Sequence, residues 1–282
     1  MMSSQSRGAD SQDEQHAKQD IEITERLSHI KNKILVMSGK GGVGKSSVAA
    51  YLSVLLAKKG YKVGLLDVDL HGPSIPRMLG LKGKPALSET SGRVIPVQHI
   101  PNLHVISMET FMEENKDAAT IWRGPIKIGV IRQFISDIEW SELDYLVIDS
   151  PPGTGDEPLT VAQTIPDAKA LIVTTPQEIS LADVRKSINF CRQVNMPILG
   201  IVENMSGFVC SHCGEKTNLF KAHGGEAMAA KENLRFLASL PIEPEVVRRA
   251  DEGLLASLDN EKIAFTEEFE KMVELIIKLN RS

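Results

Sequence analysis

Gly39-Lys40-Gly41-Gly42-Val43-Gly44-Lys45-Ser46 is the stretch whose reading decides the fold. It satisfies the spacing G-x-x-x-x-G-K-[ST], in which a glycine-rich turn opening a helix cradles phosphate. Its flanks are those the pattern requires. Ile34-Leu35-Val36-Met37 before it reads as a buried parallel strand. Ser46 to Lys59 after it places Val48, Leu52, Leu55 and Leu56 at helical spacing. Backbone N–H groups of the loop and the positive end of the helix dipole then face the phosphates. Glycines at 41, 42 and 44 let the backbone approach closely and take dihedrals that a Cβ forbids. On this reading Gly39 to Ser47 bind a nucleotide, Lys45 neutralises its β- and γ-phosphates, and the Ser46 hydroxyl ligates magnesium. A glycine-rich turn matched by chance is the competing reading, and correct flanks on both sides weigh against it.

A chain of 282 residues has room for one large α/β domain or two smaller ones. The number of strands favours one, over residues 31–282. The net charge of −5 gives no general basic field for nucleic acid, and aromatics at 5% give no stacking platform for single strands. No apolar run is long enough to span a bilayer. Residues 1–30 are a tail and lead-in: Met1 to Gln19 is polar, without the apolar segment of a signal peptide, and is expected to be disordered. Three cysteines are an odd number that suits a reducing cytoplasm better than a disulfide framework.

From Ile34 onward, strand and helix patterns alternate, as in a parallel sheet covered on both faces. Lys62 to Leu66 is the second strand and runs into Asp67-Val68-Asp69; a short helix ends at Leu79. Gly80 to Gln98 is loop-like, with Val94 to Val97 as an edge strand. Leu103 to Ser107, Tyr145 to Ile148, Ala170 to Thr174, Ile198 to Val202 and Phe236 to Leu240 read as further strands. Helices are expected over Pro125 to Ile138, with Ile126, Val130, Ile131 and Phe134 on one face, and over Ser180 to Val194, with Ser180 as N-cap. A last helix runs from Ala264 to Leu279. Its stripe of Phe269, Met272, Val273, Ile276 and Leu279 is expected to pack on the core, because Glu267, Glu268, Glu270 and Glu274 on the polar side repel anionic lipid.

Ligand groups in such sheets gather at the carboxyl ends of strands. Three motifs fall there: the phosphate loop, Asp67-Val68-Asp69, and Leu146-Val147-Ile148-Asp149-Ser150-Pro151-Pro152-Gly153. Magnesium needs few carboxylates when phosphate oxygens and water complete its shell, so one or two aspartates suffice. An isolated aspartate reads as a cap or turn residue; three motifs in order make that reading poor. The reaction implied is phosphoryl transfer to water.

Lys40, directly after the first glycine, makes the loop resemble the deviant Walker A motif of the SIMIBI group of P-loop proteins. That group includes the partition ATPases, MinD, the nitrogenase iron protein and the Mrp/ApbC cluster carriers. The resemblance implies an ATP-dependent dimer in which Lys40 reaches the partner's nucleotide; a solvated loop lysine is the alternative. By the same resemblance Asp69, in a switch I segment, orients the attacking water and Asp67 holds magnesium through water. Asp149 ends a strand as in a Walker B motif, and Gly153 senses the γ-phosphate.

Phe208-Val209-Cys210-Ser211-His212-Cys213-Gly214 carries two cysteines that can bind one metal. One pair is half of a four-thiolate site, and the sequence holds no second CxxC; Cys191, inside a helix pattern, reads as a small apolar residue. A two-fold dimer brings two pairs together. Zinc on Cys210, Cys213 and His212 or His223 is an alternative, since a CxxC alone does not choose its metal. A redox dithiol fits less well, because the pair opens no helix.

Glu203-Asn204-Met205-Ser206-Gly207-Phe208 leading into Cys210 and Cys213, with Asp149-Ser150-Pro151-Pro152-Gly153-Thr154-Gly155-Asp156, resembles the Mrp/ApbC family of iron–sulfur cluster carrier ATPases. The resemblance covers about residues 30 to 280. It implies a homodimer, or a heterodimer with a close relative, that holds a 4Fe-4S cluster on Cys210 and Cys213 and delivers it to apo-proteins. It also implies that Asn204 contacts adenine, and more weakly that Pro241 lies near the base. A strand-end turn is the plain reading of Asn204, but the chain has no Asn-Lys-x-Asp segment of the GTPase kind. A MinD- or ParA-like positional switch with structural zinc is the alternative from a different functional class.

Overall fold

The computed structural model describes residues 21–70, 72, 74–110, 124–210, 212–220 and 223–281. The tail expected to be disordered lies outside them as far as residue 20, as do His71, Pro73, Ser211 and the Ile126 side chain. A short helix α1 (residues 21–27) leads into β1 (Ile30–Met37), and the phosphate loop joins β1 to α2 (Lys45–Lys58). Then follow β2 (Val63–Asp67), α3 (Ile75–Leu79), β3 (Ala86–Leu87), β4 (Val94–Ile95), β5 (Val97–Ile100) and β6 (Leu103–Ser107). The middle of the chain forms α4 (Gly124–Asp137), β7 (Leu143–Asp149), α5 (Asp156–Thr164), β8 (Lys169–Thr174), α6 (Glu178–Gln193) and β9 (Ile198–Glu203). A hairpin of β10 (Phe208–Val209) and β11 (Lys216–Thr217) precedes α7 (Gly224–Lys231), β12 (Phe236–Ser239), α8 (Pro244–Asp251) and α9 (Ala264–Arg281).

Among the described residues, eight strands form one sheet in the order β12-β9-β8-β1-β7-β2-β6-β5. Every pairing is parallel except that of β5 with β6 at one edge. Alternate residues of each central strand feed opposite faces, which is why these strands read as continuous apolar runs. Ile34 and Val36 join the face covered by α2 and α9; Leu35 and Met37 join the face covered by α4 and α6. Each such fully buried side chain contributes about 1.5–3 kcal/mol relative to exposure. The apolar stripe of α9 packs on the core as expected, with Phe269 edge-on to Tyr51 of α2 at 4.8 Å between ring centroids.

The structure corrects two local expectations. Val94 to Val97 is not one edge strand. Pro96 lacks the N–H that a continuous ladder needs, so β4 pairs with β3 as a separate ribbon and β5 joins the main sheet. Ser180 is not the N-cap of α6. The helix begins at Glu178 after an extended Gln177, and the buried Ser180 hydroxyl instead shares a 2.7 Å hydrogen bond with the Thr175 hydroxyl beyond β8. Helices α5, α7 and α8 were not expected; each spans nine residues or fewer, too short for a helical period to stand out.

Candidate functional site

The central strands β1, β7 and β2 are neighbours, so the motifs that follow them meet at one rim. Asp67 and Asp149 stand opposite each other in the β2–β7 register. The phosphate loop is rooted by Gly39, where a Cβ would lie 2.3 Å from the Asp183 carbonyl of α6, and no side chain fits. Gly41 and Gly42 form an open crest. Gly44 takes φ +81° as the cap of α2, and a Cβ there would sit 2.2 Å from Asn204 Nδ2. Asn204 reaches across from the end of β9 and donates to the Val43 carbonyl at 2.9 Å. An amide therefore clamps the loop where it enters the helix.

Lys45 is buried and its Nζ lies 2.5 Å from Asp149 Oδ1. The Ser46 hydroxyl also bonds Asp149, while Asp149 Oδ2 is buried with no hydrogen-bond partner among the described residues. Burial pushes the Asp149 carboxyl up, with Lys45 opposing. Burial, and after it the charge of Asp149, push Asp67 up to about 8, against the Asp69 N–H, the Ser107 hydroxyl and Lys45. Two buried carboxylates, one of them with an orphaned oxygen, and a serine hydroxyl thus converge, and these hard oxygen donors fit a small divalent cation. Asp69 is buried beside them; its N–H donates to Asp67 and its carboxylate accepts from the Gly72 N–H at 3.3 Å. Gly153, at φ +90°, donates its N–H to the Ser38 carbonyl at 2.9 Å and ties the segment after β7 to the root of the loop. Lys40 is half-buried and reaches Gln177 Oε1 of its own chain at 3.4 Å.

Beside α2 lies a mostly apolar cavity of about 220 Å³, bordered by Gly44, Ser47, Asn204, Met205, Phe220 and Pro241. Ser47 also points its hydroxyl at Met78 Sδ at 3.5 Å. The cavity adjoins the phosphate loop and has room for one planar base. A larger cavity of about 550 Å³, lined by Arg26, His29 and Trp140 among others, includes none of the strand-end motifs.

Cys210 and Cys213 occupy the turn of the β10–β11 hairpin. Cys210 donates its N–H to Glu215, and its carbonyl accepts from Gly214, which sits at φ +74°. The N–H groups of Cys213 and His212, then the Cys213 thiol, hold the Cys210 thiol below its ordinary value. Cys213 is exposed, Cys210 half-buried. No group of three metal-ligating side chains exists among the described residues: His212 is exposed and His223 pairs with Glu226 at 3.0 Å. Cys191 is elsewhere, buried against Met37 Sδ with its thiol pushed up to about 12 by burial.

Sequence reasoning missed three supporting residues. Ser107 donates to Asp67 Oδ2 at 2.9 Å from its place opposite Asp67 in the β2–β6 register, a pairing that no local sequence pattern signals. Gln177 meets Lys40. Glu203, buried, accepts from the Ser206 hydroxyl at 2.5 Å and from the Gly225 N–H at 2.6 Å; in sequence it was an ordinary glutamate after a strand.

The family described as ParA, NUBPL iron-transfer P-loop NTPase, matches residues 29–277. The chain is 49% identical over 233 residues to the cytosolic Fe-S cluster assembly factor NUBP2 homolog of Dictyostelium discoideum, covering 81% of this chain and 87% of that one. It is 45% identical over 263 residues to the iron-sulfur cluster carrier protein of Methanocaldococcus jannaschii, covering 93% and 89%. Among solved structures, a nucleotide-binding protein from Archaeoglobus fulgidus in complex with ADP superimposes with a TM-score of 0.75 at 42% identity, covering 89% of this chain and 96% of that one.

Proposed function

The chain belongs to the ParA-type family of NUBPL iron-transfer P-loop NTPases, and from that premise we propose that it is an ATP-hydrolysing iron–sulfur cluster carrier. Two subunits hold a cluster, of the 4Fe-4S type, between their Cys210 and Cys213 pairs and pass it to apo-proteins. The second subunit is another copy or a close relative. The observation that carries this reading is a thiol pair on a preformed turn, one thiol already lowered, with no third ligand gathered among the described residues of its own chain. Two-fold symmetry supplies the missing pair. The naming of relatives as cytosolic assembly factors supports a cytosolic setting.

The nucleotide chemistry follows from the rim. ATP lies with its phosphates on Gly39 to Ser46 and its base in the cavity beside Ser47, Asn204 and Pro241. Lys45 leaves Asp149 for the β- and γ-phosphates. Ser46 and Asp149 would hold a magnesium ion directly and Asp67 through water, and the ion would supply positive charge to the phosphate oxygens. Asp69 orients a water whose oxygen attacks the γ-phosphorus as the bond to the β-phosphate oxygen breaks, giving ADP and phosphate. Lys40 trades Gln177 for the partner's nucleotide, and Gly153 registers the γ-phosphate against its present bond to Ser38. ATP state thereby alters the interface that holds the cluster.

The test is anaerobic reconstitution with iron and sulfide, read by metal and sulfide content, absorption and subunit mass, with the Cys210→Ala/Cys213→Ala variant alongside. One cluster per dimer, absent from the variant, is expected. Zinc at one per subunit with no cluster formed overturns the carrier reading.

A further inference from the structure

The excursion between β9 and α7 carries the cysteines, yet both of its arms return to the nucleotide side. Met205 lies five residues before Cys210 and Phe220 seven after Cys213, and both line the cavity beside Gly44 and Ser47. Met205 stands at φ +57°, a left-handed conformation uncommon for a residue other than glycine. The base of the excursion is closed by Glu203, which accepts from Ser206 at one end and from Gly225, in the first turn of α7, at the other. The hairpin is also bonded to the facing cavity wall. Ser206 donates to the Leu240 carbonyl at 2.8 Å, Ile242 donates to Gly207 at 2.7 Å, and Phe208 bridges Ile242. The rest of the lining comes from Val48 of α2, Phe265 of α9 and α8, whose Val247 has no such bond to the hairpin among the described residues and is 58% exposed.

We infer that Phe220 and Met205 make the cysteine hairpin part of the base pocket, so that a bound adenine holds the hairpin directly and nucleotide and cluster are coupled within one subunit. This rests on the carrier reading only in placing ATP on the phosphate loop. The occupant is the base of that nucleotide, because the cavity opens onto Gly44 and Ser47. An aromatic ring presented to a base adds stacking contact. An empty pocket leaves Phe220 without that contact and the turn free to open locally; a filled one removes this freedom. The coupling therefore acts before any dimer forms.

The test needs no cluster. Metal-free full-length protein is followed by hydrogen–deuterium exchange of the peptide spanning 208–217, with and without saturating MgATP, while ATP affinity is titrated separately. In the wild type, MgATP slows exchange of the Cys210 and Gly214 amides several-fold. Phe220→Ala weakens ATP binding about tenfold, as loss of one stacked ring does, and at saturation loses the protection. Phe220→Leu recovers part of it. Val247→Ala weakens ATP binding while keeping full protection at saturation, because its wall does not bear on the hairpin. If Phe220→Ala keeps wild-type protection, or if wild type binds ATP with no change in exchange, the inference is overturned and the carrier reading is untouched. If the titration shows no ATP binding, both fall; absence of a cluster with protection intact removes only the carrier reading.

Discussion

Around the phosphate loop, ionisable groups are drawn out of water and set against one another within a single chain, whereas the cysteine hairpin leaves its ligands at the surface and incomplete. Lys45, Asp67 and Asp149 are each nearly or wholly buried, and each opposes another's charge. Cys213 is exposed, and the described chain brings no third metal ligand to the pair. The difference teaches where each site can be perturbed. A buried charged cluster is coupled to folding stability and to pH. An exposed turn answers to its partner and cargo, and changes there cost the fold little.

The sharpest break in this comparison is the largest in effect. Cys210→Ala/Cys213→Ala should reduce iron retention to background while ATP turnover and Tm stay near wild type, measured by metal analysis, phosphate release and thermal melting. Parallel loss of turnover would make the two regions one site. Lys45→Ala should reverse the pattern, with ATP hydrolysis falling on the order of a hundred- to a thousand-fold while nucleotide-free reconstitution still yields a cluster. Unchanged turnover would remove Lys45 from the chemistry. Asn204→Ala takes away the amide that bonds Val43 and borders the base cavity. A roughly tenfold weaker ATP affinity is expected, the loss of one buried hydrogen bond, and calorimetric titration reads it directly.

The smallest effect is on stability. The Asp67 carboxyl rises from 3.8 in the free residue to about 8 on burial, so the folded state keeps a proton that the unfolded state releases. That contribution is fully present below about pH 4 and is lost as pH climbs through 8. The Tm of metal-free protein should therefore fall between pH 5 and 8. Asp67→Asn, which cannot ionise, should flatten that slope and raise Tm at pH 8. MgATP should do the same to wild type by supplying the missing positive charge. A metal-free Tm independent of pH over this range would show that Asp67 does not carry the buried proton.

Much of the sheet was legible because its strands are buried on both faces. Ile34 to Met37, Leu103 to Ser107 and Tyr145 to Ile148 announce themselves as apolar runs, and each lies within an observed strand. The phosphate loop was legible for a different reason: the backbone geometry at Gly44 tolerates no side chain, so the demand is written in residue type. Edges and short helices were not. Whether Val94 to Val97 formed one strand or two depended on what each half could pair with, and α5, α7 and α8 are too short for periodicity to declare. Ser180 had the right residue type for a cap, but the nearby Thr175 hydroxyl won its hydrogen bond.

By itself the sequence determined the class of chemistry. The spacing from Gly39 to Ser46, aspartates at strand ends and a single CxxC are local patterns, and local chemistry needs only neighbours along the chain. Tertiary structure alone decided which distant groups meet. Sheet order set Asp67 beside Asp149, brought Ser107 to Asp67, and carried Asn204 across 161 residues to Val43. It also folded Phe220 back into the pocket beside Ser47. Such encounters are fixed by strand register and by the burial of two apolar faces, and no window of sequence contains both partners.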